Sequence, residues 1–131
     1  MFNPKLVETA TALVRHCEAH TESEALDTLY HPDCESAEAL DMGGEMPRVA
    51  KGVDAIRAKH DWWFANNEVH SESVDGPYMH GDDTFHLVFE MDVTDKTSGQ
   101  RMQMKEVGQY TIDSDGKIIR EAFAYPAMEM G

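Results

Sequence analysis

The spacing of the apolar residues changes once along this chain of 131 residues, and that change constrains the fold more than any other feature. Before Glu68 the apolar residues recur every three or four positions, which indicates helices; from Glu68 onward they recur every second position, which indicates strands. The clearest alternation is in segment 84–94, where the apolar set is Phe85, Leu87, Phe89, Met91 and Val93. Such a segment has one covered face and one face in water.

Four extended segments are predicted after the change: 68–80, 84–94, 100–113 and 117–125. The stretches between them are rich in Gly, Asp and Ser, residues that form hairpin turns. Consecutive strands joined by short turns form an antiparallel meander. Gly76 and Pro77 are predicted to bend the first of these strands.

Three helices are predicted in the N-terminal half: about Pro4–His20, a short helix after Thr21, and about Gly52–Asn66. Asn3 is a suitable N-cap for the first helix, and Thr21 with Glu24 matches a capping box at the start of the second. A brief extended stretch is expected near 34–40. Five residues of the third helix are predicted to face the core: Val53, Ile56, His60, Trp63 and Phe64. Trp62 falls on the opposite side of the helix.

Helices followed by a meander predict an α+β fold made of a single domain, 1–131. Because long twisted strands coil a sheet, we expect a cone-shaped roll, with three N-terminal helices packed on a strongly curved antiparallel sheet. A cone of this kind can enclose one ligand-sized pocket.

The charge of the chain limits its partners. It has 25 acidic and 11 basic residues, a net charge of −14. Such a surface repels phosphate backbones and anionic lipids, so neither a nucleic acid nor a membrane is an expected partner. No apolar run is long enough to span a membrane and no export signal is visible, so a soluble, cytoplasmic protein with Cys17 and Cys34 free and reduced is expected.

Three polar residues lie where the pattern predicts apolar ones: Glu106, Glu121 and His60. Facing a pocket, the carboxylates would have raised pKa values suited to proton transfer, and the histidine titrates near neutrality. They are therefore the candidate catalytic residues. The alternative is structural: the two glutamates would be neutralised by Arg120, by Arg57 or by each other's neighbours, and the histidine would be a hydrogen-bonded core residue.

Five inward-facing residues are the candidate ligand-binding set: Trp63, Phe89, Met104, Tyr110 and Phe123. They predict a hydrophobic small molecule as the ligand. His16 and His20 have the spacing of helical metal ligands, but no accompanying ligand set follows them, so no metal and no cofactor are expected.

Several short motifs together resemble the SnoaL-like branch of the nuclear transport factor 2-like superfamily. They are the segment Lys51 to Arg57, the pair Trp62-Trp63, the pair Gly76-Pro77, the segment Glu106 to Tyr110, and the segment Asp115 to Glu121. The resemblance covers nearly the whole chain and implies an α+β cone with a pocket, often a homodimer paired through its sheets. The superfamily includes ketosteroid isomerase, polyketide cyclases, dehydratases and non-catalytic members, so it leaves the reaction open.

Three functions are compatible with these residues. The first is an isomerase, cyclase or dehydratase in which Glu106 or Glu121 is the general base and His60 or Tyr110 donates a hydrogen bond to the developing oxyanion. The second is a binding module without chemistry. The third is a homodimeric interaction protein that uses the outer face of its sheet, with Val88, Val107, Thr111 and Trp62 as contacts.

Overall fold

The computed structural model describes residues 3–41 and 46–126. Three α-helices span α1 (Pro4–Ala19), α2 (Glu22–Thr28) and α3 (Val53–Asn66). Six strands span β1 (Tyr30–Ala37), β2 (Val49–Lys51), β3 (Asn67–His80), β4 (Thr84–Asp95), β5 (Arg101–Ile112) and β6 (Ile118–Ala124). No helix of the described ranges combines the length and the apolar character that crossing a membrane requires.

The six strands form one open, mixed sheet in the order β2-β1-β6-β5-β4-β3. The last four strands are the predicted antiparallel meander, with starts and ends within about one residue of the sequence prediction. The prediction missed two things: β1 and β2 extend the sheet beyond β6, and β1 runs parallel to β6. The α+β cone is confirmed, with a sheet that is mixed where only antiparallel pairing was expected.

Helix α1 covers the concave side of the sheet with its predicted apolar stripe. Four residues of this stripe are buried: Leu6, Ala10, Leu13 and Cys17. The Asn3 side chain accepts a hydrogen bond from the Lys5 backbone N–H at 3.0 Å, which confirms it as the N-cap. Both cysteines are free and buried, and burial raises the pKa of the Cys17 thiol to about 12.

The predicted capping box of α2 is wrong. Thr21 occupies the N-cap position, but its side chain caps no backbone N–H of the helix. Instead its hydroxyl lies 2.7 Å from His16 Nδ1, because α1 and α2 meet at this corner. Because the Thr21 hydroxyl is bonded to a residue of α1, it does not cap the backbone N–H groups of α2.

Helix α3 differs from the predicted wheel on two counts. Phe64, which was expected in the core, is 49% exposed. Lys59, which was not expected there, is 6% exposed and lies beside the fully buried Ile56. The helix is therefore rotated so that its covered face includes a cation, and the ring of Trp63 packs edge-on against Phe64 with centroids 5.2 Å apart.

Candidate functional site

One cavity of about 750 Å³ lies between the helices and the concave face of the sheet, and in the described part of the chain it opens to solvent. Its walls come from α1, α2 and α3 on one side and from the sheet, mainly β4, β5 and β6 with one residue each of β1 and β3, on the other. All eight predicted site residues line it: His60, Trp63, Phe89, Met104, Glu106, Tyr110, Glu121 and Phe123. The strand parity that selected the two glutamates therefore does bring them to one cavity, while their roles stay predictions.

Glu121 is held in place at the inner wall of this cavity. It is 1% exposed, and each of its carboxylate oxygens accepts a hydrogen bond. The Tyr30 hydroxyl donates a hydrogen bond to Oε1, and the Ser36 hydroxyl donates one to Oε2 over 2.6 Å. Burial, and then the negative charge of Glu121, keep the pKa of Tyr30 well above its usual range.

A buried ion pair continues this network. The Lys59 ammonium donates to Ser36 Oγ over 2.6 Å and lies 2.5 Å from Glu38 Oε2. The Tyr125 hydroxyl donates to the other Glu38 oxygen over 2.9 Å. Each buried charge thus has an opposite charge or several donors, which is the condition for keeping ions in a low-dielectric interior.

Glu106 is different from these acids because no described residue forms a hydrogen bond or an ion pair with it. Its side chain is half-buried in the cavity wall on β5. Burial, and then the negative charge of Glu38, raise its pKa to about 7, while the positive charge of Lys59 acts in the opposite direction. A carboxyl group with that pKa can both give and accept a proton near neutral pH.

Tyr110 lies flat along its own strand, over Gly108. Its ring stacks on Phe85 with centroids 4.9 Å apart and meets Phe123 edge-on. A Cβ atom on Gly108 would lie 2.8 Å from Tyr110 Cε2, so only glycine leaves room for the ring in this position. No described residue forms a side-chain hydrogen bond with the Tyr110 hydroxyl, which leaves it available to a ligand, and burial keeps its pKa well above the usual value.

The family model of the SnoaL-like domain matches residues 10–125, which include α2, α3, most of α1, the whole sheet and every cavity residue just described. The chain belongs to the SnoaL-like family. No curated protein is similar enough to count as a match.

Solved SnoaL-like and related structures share this fold. A Mesorhizobium loti protein described as a candidate SnoaL-like polyketide cyclase is 39% identical, with a TM-score of 0.82 over 91% of this chain and 97% of that one. A Mycobacterium tuberculosis protein in complex with estradiol-17β-hemisuccinate is 15% identical, with a TM-score of 0.71 over 94% and 95% of the two chains. TerC, co-crystallised with polyporic acid, is 17% identical, with a TM-score of 0.72 over 93% and 92%.

The arginines suggested as partners of the two glutamates lie elsewhere in this SnoaL-like chain. Arg57 pairs with Asp27 at 2.5 Å on the surface, and Arg120 lies 3.7 Å from Glu35 on the outer face of the sheet. That part of the structural alternative is wrong. Lys59 is a buried cation of the site, and the sequence reasoning missed it.

His60 lies at the border between the main cavity and a second one of about 500 Å³. In this second cavity the ligand atoms of His20, Glu22 and Glu72 all lie within 4.8 Å of one another. That spacing would allow a cation, but exposed histidines and carboxylates commonly meet without one, and His20 already pairs with Glu72 at 3.5 Å. The absence of a metal stays an expectation from the sequence.

Four residues of the buried network were not selected from the sequence: Tyr30, Ser36, Glu38 and Lys59. One signal was available for Lys59, since it falls three residues after Ile56 and four before Trp63, on the covered face of α3. The strand residues carried no comparable signal. Ser36 and Glu38 are polar, and because polar residues are mostly exposed, the sequence pattern alone predicts both side chains on the surface.

Proposed function

We propose that this SnoaL-like protein is an enzyme of the isomerase, cyclase or dehydratase kind, in which Glu106 is the general base acting on an apolar, carbonyl-bearing substrate. The observation that carries the proposal is a carboxylate without a partner among the described residues, in an apolar cavity that raises its pKa to about 7. A base with a pKa close to the working pH transfers protons most effectively.

Glu121 is the weaker candidate for the base. Hydrogen bonds from Tyr30 and Ser36 occupy both of its oxygens, and such bonds stabilise the carboxylate in one orientation. We assign it a structural role in the wall. His60 and Tyr110 line the same cavity and stay candidate donors to a developing oxyanion.

The proposed ligand is a hydrophobic small molecule. The exposed cavity wall is mainly apolar and includes five aromatic or thioether side chains: Trp63, Phe89, Met91, Met104 and Phe123. The presence of estradiol-17β-hemisuccinate and of polyporic acid in the two structures of the same fold supports a small-molecule ligand here as well. A site of this size and lining suits a molecule of a few fused rings.

Hydrogen exchange at carbon tests the proposed base directly. The probe is 2-tetralone, an apolar ketone with acidic C–H bonds next to its carbonyl, incubated with the protein in D2O and followed by proton NMR. We expect the wild type to accelerate the loss of these signals and Glu106→Gln to lower the acceleration by about 10²-fold or more. The rate should rise with pH through about 7, because the active form of Glu106 is the carboxylate.

Glu121→Gln is the matched control, a second glutamate of the same cavity changed in the same way. It should retain most of the exchange rate per folded molecule. An equal rate for Glu106→Gln and the wild type would overturn the proposal. Binding of 2-tetralone, seen as a thermal shift, without any accelerated exchange would favour the non-catalytic ligand-binding module instead.

We also propose a homodimer that pairs through the outer face of the sheet. Val88 and Val107 lie opposite each other at the centre of that face. Around them the charges are balanced locally, since Lys105 lies 3.5 Å from Glu90 and Arg101 lies 2.8 Å from Asp92. A locally neutral patch on a chain with a charge of −14 is the part of the surface best suited to meet a second copy.

A further inference from the structure

The Lys59 ammonium has one N–H for which the described residues provide no hydrogen-bond acceptor. An ammonium group has three donors; here one is directed to Ser36 Oγ, and the ammonium forms an ion pair with Glu38 Oε2 at 2.5 Å. The side chain is 7% exposed, it lines the main cavity, and its Nζ atom lies 5.2 Å from the centroid of the Phe123 ring. A cation that lines the cavity, is withdrawn from water, is held by two partners and retains an unused donor is suited to binding a ligand oxygen.

Lys59 and Glu106 belong to different walls of the same cavity. Lys59 comes from α3 on the helical side, and Glu106 comes from β5 on the sheet side. The positive charge of Lys59 acts to lower the pKa of Glu106, against the larger effects of burial and of Glu38. A molecule bound between them would have the base on one side and the cation on the other.

We infer that Lys59 binds the carbonyl oxygen of the substrate and stabilises the enolate that forms when Glu106 removes a proton from the neighbouring carbon. The inference rests on the proposed function and narrows the substrate to a ketone or related carbonyl compound that can enolise. Lys59 is then a catalytic residue, where the sequence suggested His60 or Tyr110 as the donor.

The step is balanced without a further reactant. The Glu106 carboxylate takes the proton from the carbon next to the carbonyl group, and the electrons of the broken C–H bond form a carbon–carbon double bond. The carbonyl π electrons move to the oxygen, which becomes an enolate that accepts a hydrogen bond from Lys59. Lys59 keeps its proton, and Glu106 then returns its own to the same or another carbon.

The charge distribution agrees with this direction of transfer. Negative charge leaves Glu106 on the sheet wall and develops on an oxygen at the helical wall, beside the ammonium. The partners Glu38 and Ser36 fix the position of Nζ before the substrate arrives, so little reorganisation is needed during the reaction.

The experiment uses 2-naphthol, a planar analogue of the enolate of 2-tetralone, and measures its apparent pKa in the bound state from the ultraviolet absorbance of the naphtholate. All variants carry Glu106→Gln, which represents the base after it has taken the proton. With Lys59 present, we expect the bound naphthol to ionise at a pH at least about one unit lower than with Lys59→Met, and naphtholate to bind at least about tenfold more tightly.

Removing Lys59 alone leaves Glu38 without its buried partner and can unfold the protein. The decisive comparison is therefore between Glu38→Gln and the double variant Glu38→Gln/Lys59→Met, both in the Glu106→Gln background. These two proteins differ in Lys59 alone, and neither buries an unpaired Glu38 charge. Lys51→Met is the matched control, because it removes an ammonium of an exposed residue of β2 that does not line the cavity. It should shift the naphthol pKa by less than a few tenths of a unit.

Equal naphthol pKa values with and without Lys59, an equal effect of Lys51→Met, or no binding of 2-naphthol at all would each overturn the inference. If Tyr110→Phe gives the large shift instead, the oxyanion donor is Tyr110. None of these readouts involves proton transfer to or from carbon. If the naphthol pKa does not depend on Lys59 while the 2-tetralone exchange still depends on Glu106, only the role of Lys59 is refuted. If the exchange does not depend on Glu106, the proposed function is refuted.

Discussion

Glu106 should destabilise the folded protein as the pH rises. Its pKa is about 7 in the folded state and 4.5 in the reference state, so the folded protein holds this proton over a range where the unfolded chain has lost it. The free energy of unfolding therefore falls between about pH 4.5 and pH 7, by up to about 3 kcal/mol, and no penalty exists below the lower value.

Glu106→Gln tests this, because it removes the charge and retains the shape. We expect the variant to be more stable than the wild type at pH 8, by about 2–3 kcal/mol, and equally stable at pH 4. Urea unfolding at the two pH values measures the difference. Glu90→Gln, on the outer face of the same sheet, is the control and should show no comparable dependence on pH. An equal effect at both pH values would mean that Glu106 is not desolvated by the cavity.

At the scale of single residues, alternation along β5 was sufficient to place Glu106 on the inward face, and Glu121 lies on the same side of β6 as Phe123, two residues later. The partners of these residues were beyond reach. Glu38 and Lys59 meet only after a strand and a helix have packed together, and no local pattern encodes that pairing. Burial of a lysine is also against the general preference of the residue, so its position on the covered face of α3 was easy to discount.

Within strand β5, Gly108 and Tyr110 act as one unit. They point to the same side of the strand, and the phenol ring uses the space that a side chain at 108 would fill. Gly108→Ala should therefore displace the ring and lower the free energy of unfolding by about 1–3 kcal/mol, although alanine is otherwise the better strand residue.

A double-mutant cycle separates the clash from other effects of the substitution. In a Tyr110→Leu background the ring is gone, so Gly108→Ala should cost less than about 0.5 kcal/mol. Denaturant unfolding of the four proteins gives the coupling energy. An unchanged or raised stability of Gly108→Ala in the wild-type background would show that the ring can move aside without cost.

At the scale of the elements, helices and meander strands followed from periodicity, whereas the assembly of the sheet did not. Periodicity identifies strands but carries no information on which strands pair, so the parallel pairing of β1 with β6 could not be derived. The pairing of β5 with β6 also shifts register between Thr111 and Ile112, and periodicity did not predict this shift either. The shift places both Ile118 and Glu121 in the interior and leaves Ile119 exposed, which simple alternation from Ile119 to Glu121 does not predict.

At the scale of the whole molecule, the charge of −14 opposes the association of two chains, and the ion-paired outer face is what makes it feasible. We expect light scattering to show a dimer at high protein concentration, and we expect added salt to strengthen it by screening the remaining repulsion. Val107→Glu should convert it to a monomer, because two symmetry-related carboxylates would be buried near the centre of the interface. Val7→Glu, on the exposed side of α1, is the matched control and should leave the dimer intact. A wild-type monomer at every concentration and salt level would rule out this interface, and the cavity would then have to be understood as the site of an isolated chain.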